Sequence, residues 1–379
     1  MDKKEILKIY GTDFKEMTKT LLKEADLASF IPSSEARIGI KPNLNVSTPA
    51  SLGATTHPEV VAGIVEYLQE QGFSHIVVLE GSWVGDQTSK AFEYCGYQTL
   101  SEQYGVELWD TQKDSSHTKN CAGVKLHICD MVDRIDFLIN VPVLKGHCQT
   151  KITCALKNSK GLIPNSEKSR FHRMGLHKPI AHLGVGIPQD FIVVDHICGD
   201  LDFEEGGNPV VKNCIMAARD PVLVDAYVCE ILHYSVSDVP YVELAGQLGV
   251  GCADIRKARI NTIQREENGE DPAGPQEEIP PRRRVLDVQY AVEDVDSCSA
   301  CYAALIPALD RLKEEGLLDK LSGQIAIGQG FRKKTGKLGV GDCTGQFEVN
   351  IPGCPPDEEQ VYEVLKSYII NETEQTGKN

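Results

Sequence analysis

The sequence predicts an α/β fold: a mostly parallel sheet covered by helices, followed by a smaller C-terminal α/β domain. Three observations support this prediction. Short apolar runs rich in β-branched residues alternate with helical patterns, which is typical of buried parallel strands. Polar residues directly follow several of these runs. A polar, proline-rich stretch then separates the first two-thirds of the chain from the rest.

Local patterns define the elements of the first two-thirds. A helix begins at Pro58, because proline suits the first helical position and Thr56 or His57 can serve as its N-cap. Apolar residues at helical spacing continue this helix until Gly72, and a second amphipathic helix covers residues 221–233. Strands are predicted at residues 36–40, 75–79, 136–143 and 191–194.

The chain divides into residues 1–260, a linker at 261–284 and a C-terminal domain at 285–379. In that domain a helical pattern follows Cys301, and Pro307 either kinks this helix or marks a late start. A strand at residues 324–327 and a helix near 357–370 complete it.

Composition excludes several classes of protein. With 41% hydrophobic and 25% charged residues over 379 positions, the chain is globular and long enough to bury a sizeable core. The net charge of −16 argues against nucleic-acid binding, which depends on Lys and Arg neutralising phosphates. The charged N-terminal segment and the lack of an apolar run of roughly 18 residues predict a cytoplasmic protein that does not span a membrane. Its thiols would then stay reduced.

Four of the thirteen cysteines lie in the C-terminal segment, as the pair Cys298 and Cys301 and as Cys343 and Cys354 in glycine-flanked loops. Two cysteines three positions apart at the start of a helix can direct both sulfurs at one metal centre, and the helix N-terminus stabilises thiolates. Zinc sites usually combine two such pairs, so this dispersed set favours one [4Fe-4S] cluster. Zinc and buried inert thiols remain alternatives. The other nine cysteines, among them Cys198, are interpreted mostly as small core residues.

A second signal lies at the carboxyl ends of the predicted strands, where parallel sheets bind their ligands. Polar residues directly follow these strands, and a lysine-rich stretch comes soon after the third of them. Lysine, histidine and asparagine donors in this number suit a carboxylate or phosphate, so the sequence predicts an anionic small molecule. The alternative is a solvated, lysine-rich helix end. The residues are Lys41, Asn43, Glu80, Lys145, His147, Thr150, Lys157, Asn158, Lys160 and Asp195, with His172 and His177 as additions.

Residues 37–249 resemble the DUF362 family of uncharacterised proteins. The most specific part is the run of Lys145, His147 and Thr150 followed by Leu156-Lys157-Asn158-Ser159-Lys160-Gly161. Many members carry an iron–sulfur module, often a ferredoxin-like one. This chain lacks the repeated cysteine motif of a two-cluster ferredoxin, which implies a single cluster. The other matching pieces are residues 41–44, 56–58, 80–81, 142–144 and 218–226.

The phrase VNIPGCPP around Cys354 also resembles the last cluster ligand in the small, quinone-side iron–sulfur subunit of respiratory complex I. That subunit binds one [4Fe-4S] cluster. The resemblance implies that Cys354 is a ligand.

Three hypotheses follow. The first is an iron–sulfur oxidoreductase in which His147 or Lys145 of this chain is the acid or base. A separate redox partner, such as a ferredoxin, would exchange electrons with it. Glu80 or Asp195 would orient the substrate or bind a second metal ion. The second is a non-enzymatic electron-transfer or cluster-handling protein whose acidic surface pairs with a basic partner. The third is a structural zinc module attached to a small-molecule-binding domain.

Overall fold

The computed structural model describes residues 1–201, 204, 206, 209–263 and 284–376. The chain divides into two compact units, Met1–Pro280 and Pro281–Asn379, and each is described by itself. No helix in the described ranges is both long and apolar enough to cross a bilayer.

The first unit combines one large sheet with two short hairpins and several helices. Its strands are β1 (Glu5–Tyr10), β2 (Ile38–Pro42), β3 (Ile76–Glu80), β4 (Glu107–Asp110), β5 (Ser116–Cys121), β6 (Val124–Cys129), β7 (Phe137–Val141), β8 (Lys145–His147), β9 (Lys151–Thr153), β10 (Phe191–Asp200), β11 (Pro209–Ala218) and β12 (Arg259–Thr262). Its helices are α1 (Phe14–Glu24), α2 (Pro58–Glu70), α3 (Thr88–Tyr94), α4 (Tyr97–Tyr104), α5 (Ala155–Asn158), α6 (Asn165–Arg173), α7 (His177–Gly186), α8 (Pro221–Ile231) and α9 (Pro240–Gln247).

The large sheet has eight strands in the order β12-β1-β11-β10-β7-β2-β3-β4. Only β11 runs against the others, because it pairs antiparallel with both β1 and β10 while the remaining pairs are parallel. The predicted mostly parallel sheet is therefore confirmed.

Helices cover both faces of this sheet, which is why its central strands β2, β3 and β7 are buried along their whole length. Ile76 and Val78 of β3 pack with α1 to α4 on one face. Val77 and Leu79 pack with α5 to α9 and the β5–β6 hairpin on the other. In these three strands the polar side chains are confined to the carboxyl ends, and most of the candidate site lies there.

Three of the predicted strands correspond closely to β2, β3 and β7, and the helix starting at Pro58 is α2 with His57 as its N-cap. The fourth prediction was too short. β10 continues to Asp200, because its second half pairs with β11, which the sequence analysis missed. Asp195 therefore lies in the middle of a strand and not past its end.

Two further predictions about chain segments need correction. Lys145 and His147 lie in β8, a short strand paired with β9, and not in a loop after the third predicted strand. Asn261 and Thr262 belong to β12 and pair with β1, so they are not part of a linker. Residues 264–283, which form most of the predicted linker, lie outside the described residues.

The second unit has a four-stranded, fully parallel sheet, as the prediction of a smaller α/β domain requires. The helix after the cysteine pair begins at Ser299 and continues through Pro307, so proline does not delay its start. The elements are α10 (Arg284–Val288), β13 (Val292–Asp294), α11 (Ser299–Glu314), β14 (Ile325–Ile327), β15 (Leu338–Val340), β16 (Val349–Ile351) and α12 (Glu358–Thr376).

Candidate functional site

The predicted site residues of the first unit lie in three clusters near the carboxyl ends of β2, β3 and β7. The glutamate–lysine cluster contains Lys41, Glu80, Asn158 and Lys168. The histidine cluster contains Lys145, His147, Lys157 and Glu204. The third cluster contains Asp195 and His57.

In the glutamate–lysine cluster, Lys41 Nζ lies 2.7 Å from Glu80 Oε1, and both side chains are at most 2% exposed. The Gly81 amide also donates to Oε1 at 2.7 Å, and the Leu44 amide donates to Oε2 at 2.7 Å. Burial lowers the pKa of Lys41, and the charge of Glu80 opposes this effect. Glu80 was predicted to act on substrate or metal, but protein donors already occupy both of its oxygens.

Close packing surrounds this ion pair. A side-chain carbon on Gly161 would collide with Glu80 Oε1 and with the end of Lys41, so only glycine fits there. Asn158 Nδ2 donates to the Lys41 carbonyl at 3.2 Å and to Asn140 Oδ1 at 2.7 Å. Asn158 therefore positions the strand that carries Lys41.

Lys168, which the sequence analysis did not select, completes this cluster from α6. Its Nζ donates to the carbonyls of Gly81 and Ser82 at 3.0 and 2.7 Å and to Asn165 Oδ1 at 3.2 Å. Burial lowers the pKa of Lys168 to about 8, although the charge of Glu80 opposes the shift. A buried ammonium held by carbonyl oxygens thus lies beside the Lys41–Glu80 pair.

The histidine cluster is built around the carboxylate of Glu204. Its Oε2 lies 2.9 Å from His147 Nε2, and its Oε1 lies 2.5 Å from Lys157 Nζ. Burial alone would raise the pKa of Glu204, but the charges of Lys157 and His147 hold it well below its usual range. These donors therefore already bind one carboxylate, which belongs to the protein.

Backbone contacts set the tautomer of His147. Its Nδ1 accepts the amide hydrogens of Gln149 and Thr150 at 3.0 and 3.1 Å, so the ring proton lies on Nε2 and faces Glu204. Burial, with the charge of Lys157, lowers the pKa of His147 to about 4. His147 is therefore neutral at pH 7.

Lys145 crosses from β8 to the segment after β2. Its Nζ donates to the carbonyls of Ala54 and Glu204 at 2.5 and 2.7 Å. It also reaches the amide oxygens of Asn45 and Asn43 at 3.0 and 3.4 Å. The predicted neighbours Asn43 and Lys145 are thus brought together.

Other predicted residues surround the histidine cluster. The Thr150 hydroxyl donates to the Ile152 carbonyl at 3.1 Å within the β8–β9 hairpin. Lys160 is half-buried, and its charge contributes to lowering the pKa of both His147 and His172.

His172 Nδ1 is buried and has no hydrogen-bond partner among the described residues. His177 stacks on Tyr241 with ring centroids 5.9 Å apart, which indicates a packing role.

Asp195 pairs with His57. Asp195 Oδ2 accepts both the His57 backbone amide and the His57 Nδ1 hydrogen at 2.8 Å, and Asp195 Oδ1 accepts the Ile197 amide at 3.0 Å. Burial would lower the pKa of His57, but the charge and hydrogen bond of Asp195 outweigh it and raise the pKa to about 10. Asp195 is therefore bound to protein donors and separate from the lysines with which it was grouped.

Glu204 was not predicted from the sequence, because a glutamate in an acidic, glycine-rich run shows no periodicity. The role of Asp225 was not predicted either, although this residue lies on α8 within one of the segments that resemble DUF362. Asp225 accepts the amide hydrogens of Ala155 and Leu156 at 2.7 and 3.1 Å, at the start of α5. Asp225 thereby positions the short helix that carries Lys157 and Asn158.

In the second unit, the four predicted cysteines follow three strands of the parallel sheet. Cys298 is the N-cap of α11, Cys301 lies in its first turn, and both follow β13. Cys343 follows β15 and Cys354 follows β16. The carboxyl ends of parallel strands share one edge, so the fold places cysteines up to 56 positions apart in sequence at the same edge of this sheet. We call these four residues the cysteine centre.

Glycines shape the loops of this centre. Gly341 and Gly353 precede Cys343 and Cys354 and have φ angles of +89° and +130°, which favour glycine. An ideal Cβ on Gly341 would lie 3.6 Å from Cys301 Sγ, so the loop after β15 passes close to the helix cysteine. The Asp342 amide donates to the Gly353 carbonyl at 3.0 Å and ties the two cysteine loops together.

Nitrogen donors from the segment after β14 face two of these sulfurs. Gln329 Nε2 lies 3.5 Å from Cys298 Sγ, and Arg332 Nε lies 3.5 Å from Cys343 Sγ. Burial raises the pKa of Cys301 to about 12, and the neighbouring thiols of Cys298, Cys354 and Cys343 contribute to this increase.

Among the described residues, no group of three or more His, Cys, Asp or Glu side chains is arranged as a ready site for a metal ion. None of the thirteen cysteines, all in the described ranges, forms a disulfide.

Comparison with known proteins places the first unit in a family. Its open, mostly parallel sheet with lysines at the carboxyl edge defines an α/β protein. The family described as "Domain of unknown function (DUF362)" matches residues 38–230, which is just over half of the chain. The chain belongs to the DUF362 family, as its motifs predicted.

Two individual proteins are similar to this chain. The thylakoid-associated protein sll1697 of Synechocystis sp. is 24% identical over 253 residues, which cover 61% of this chain and 74% of that protein. The lactate racemase apoprotein of Thermoanaerobacterium thermosaccharolyticum aligns with a TM-score of 0.40 and 11% identity. That alignment covers 62% of this chain and 57% of the racemase.

Proposed function

We propose that this protein is an iron–sulfur protein acting as an oxidoreductase, in which the cysteine centre holds one [4Fe-4S] cluster. The observation that carries the proposal is the gathering of Cys298, Cys301, Cys343 and Cys354 at one edge of the small parallel sheet. Four thiolates are the usual ligand set for such a cluster. When bound, the cluster would supply single-electron transfer.

The surroundings of the cysteines fit this group. Side-chain N–H donors face the sulfurs of Cys298 and Cys343, and such hydrogen bonds stabilise thiolate ligands and tune a cluster. The N-terminus of α11 favours negative charge at Cys298 and Cys301. Glycines in the two other loops leave room for a bulky group close to the backbone.

The first unit would bind the anionic substrate through the histidine cluster. Its donors, His147 Nε2 and Lys157 Nζ, already hold the carboxylate of Glu204, so they match a carboxylate in geometry and charge. A substrate carboxylate would take the place of Glu204, with Lys160 adding charge. A second metal ion is not part of the proposal, because protein donors occupy the oxygens of Glu80 and Asp195.

A redox partner such as a ferredoxin would supply or accept the electrons. The net charge of −16 favours a partner that presents a basic face.

The decisive experiment is metal and sulfide analysis of protein purified without oxygen. We expect about four iron atoms and about four acid-labile sulfides per chain. Replacing Cys298 or Cys354 by Ser should remove most of the iron, because each change deletes a ligand. Replacing Cys95 or Cys229, both buried in the first unit, should leave the iron content unchanged.

Stoichiometric zinc without iron would contradict the proposal and select a structural zinc module. Equal iron loss in both sets of variants would show that the cysteine centre is not the ligand set.

A further inference from the structure

A thiol, an imidazole and a carboxylate lie in line beside the third cluster. Cys198 Sγ is 3.8 Å from His57 Nε2, and His57 Nδ1 is 2.8 Å from Asp195 Oδ2. All three side chains are buried. This is the order of groups, from nucleophile to base to orienting carboxylate, that activates a cysteine in covalent catalysis.

Two elements bring these groups together. Asp195 and Cys198 both belong to β10, and the register of β10 against β11 shifts between His196 and Cys198. His57 is the N-cap of α2, and its backbone amide also donates to Asp195, so the imidazole is held at two points. The His57 ring is additionally in edge contact with Phe14, with centroids 5.5 Å apart. Its orientation toward Cys198 is therefore fixed by several independent contacts.

We propose that Cys198 is a nucleophile that accepts an acyl group from a small ester or thioester, with the imidazolium of His57 stabilising its thiolate and Asp195 as the residue that positions His57. This inference does not depend on the cluster, and nothing in the DUF362 match assigns it. Because only 4% of Cys198 is exposed, the acyl donor must be small.

The chemical step is balanced within these groups. Cys198 Sγ attacks the carbonyl carbon, a carbon–sulfur bond forms, and the bond from that carbon to the leaving group breaks. In the proposed step the thiol proton has passed to His57 Nε2, and this proton then leaves with the leaving group. No oxidant or other co-reactant is needed.

The surroundings of His57 support a protonated imidazole beside the sulfur. The carboxylate of Asp195 raises the pKa of His57 to about 10 against the effect of burial. In the histidine cluster the reverse holds, because burial and Lys157 lower the pKa of His147 to about 4. The imidazole nearest to Cys148 Sγ in that cluster, with Nδ1 at 4.0 Å, is therefore neutral.

The chain provides its own matched control. Cys95 is also 4% exposed, and its Sγ lies 3.1 Å from the Thr48 carbonyl oxygen, much as Cys198 Sγ lies 3.4 Å from the Ala50 carbonyl oxygen. Burial raises the pKa of Cys95 to about 11. The two thiols thus share burial and a carbonyl partner, and the imidazole of His57 distinguishes them.

The test is acetylation by p-nitrophenyl acetate at pH 7, with each cysteine followed by peptide mass mapping. We expect Cys198 in the native full-length protein to be acetylated on the order of 100-fold faster than Cys95, because the imidazolium of His57 stabilises the reacting thiolate and gives its proton to the leaving group. His57→Gln should remove most of this advantage and leave the Cys95 rate unchanged. Cys198→Ser should abolish the adduct at that position.

Equal rates for Cys198 and Cys95 in the unaltered protein would overturn the proposal without any variant. If Cys198 is still acetylated rapidly in His57→Gln, the assignment of His57 as the residue that activates Cys198 is overturned.

Discussion

Four lysines at the carboxyl edge of the large sheet, Lys41, Lys145, Lys157 and Lys168, are almost fully buried. A buried ammonium is costly unless oxygen atoms replace its water. Lys41 and Lys157 face the carboxylates of Glu80 and Glu204, whereas Lys168 is held by carbonyl and amide oxygens. The sequence could identify the lysines as unusual only by their number, since their partners come from distant segments.

Lys168 leads to a prediction about pH. The pKa of lysine is 10.5 in the unfolded chain and about 8 for Lys168 in the folded protein. Between these pH values the unfolded chain binds the additional proton, so the free energy of unfolding should rise with pH, by up to roughly 3 kcal/mol. Lys168→Met should lack this contribution. Urea unfolding between pH 8 and pH 10.5 measures it.

Lys90→Met is the control, because Lys90 is exposed on α3. It should retain the pH dependence of the unaltered protein. If Lys168→Met and Lys90→Met show the same slope, Lys168 does not keep its lowered pKa.

Among the elements, α5 shows how a short segment is held in place. A helix of four residues is not stable alone, because the first turn costs more entropy than its hydrogen bonds return. Asp225 of α8 compensates by accepting two amide hydrogens at the start of α5. The helix that presents Lys157 and Asn158 thus depends on a carboxylate about seventy positions away.

Replacing Asp225 by Ala should destabilise the protein by about 2–4 kcal/mol, because two buried amides lose their acceptor. Urea unfolding monitored by circular dichroism measures this loss. Asp13→Ala removes one bond at the exposed N-cap of α1 and should cost only about 1 kcal/mol. Losses of equal size would mean that α5 is held by packing and not by Asp225.

At the scale of the whole molecule, the two units differ in how they are stabilised. The Met1–Pro280 unit has an eight-stranded sheet with a core on each face. Each strand of the Pro281–Asn379 sheet has only three residues. A cluster bound by the cysteine centre would cross-link three loops of that small sheet, so the second unit should depend on it far more than the first.

We therefore expect removal of iron by an anaerobic chelator to lower hydrogen-exchange protection in α11 and β14 while β2, β3 and β7 stay protected. Peptide-resolved hydrogen exchange on the full chain measures this difference. Cys301→Ser should reproduce the loss, and Cys95→Ser should not. Unchanged protection in α11 after iron removal would show that the second unit is stable without a cluster.

Much of this arrangement could be predicted from the sequence. The apolar runs located β2, β3 and β7 because burial on both faces leaves a continuous hydrophobic signal. Pro58 and its flanking residues located the start of α2 for a similarly local reason. β11 was missed because exposed and half-buried positions alternate at its start, and the length of β10 depends on pairing with it.

The site was predictable only in part. Lys41, Lys145, His147 and Lys157 were identified because they follow or neighbour apolar strands. Glu204, whose carboxylate links His147 and Lys157, comes from an acidic run with no regular pattern. Cys198 was interpreted as a core thiol, since nothing along the chain relates it to His57, 141 positions earlier.

The sequence by itself determined the class of fold, the family and the residue types available for chemistry, because periodicity and short motifs are local properties. Only the tertiary structure decided which charges meet. It paired Lys41 with Glu80, placed Glu204 between His147 and Lys157, and turned Asp195 toward His57 and away from the lysines. The physical reason is that parallel strands bring residues far apart in sequence to one edge. There, burial forces each charge to find a partner that no local pattern encodes.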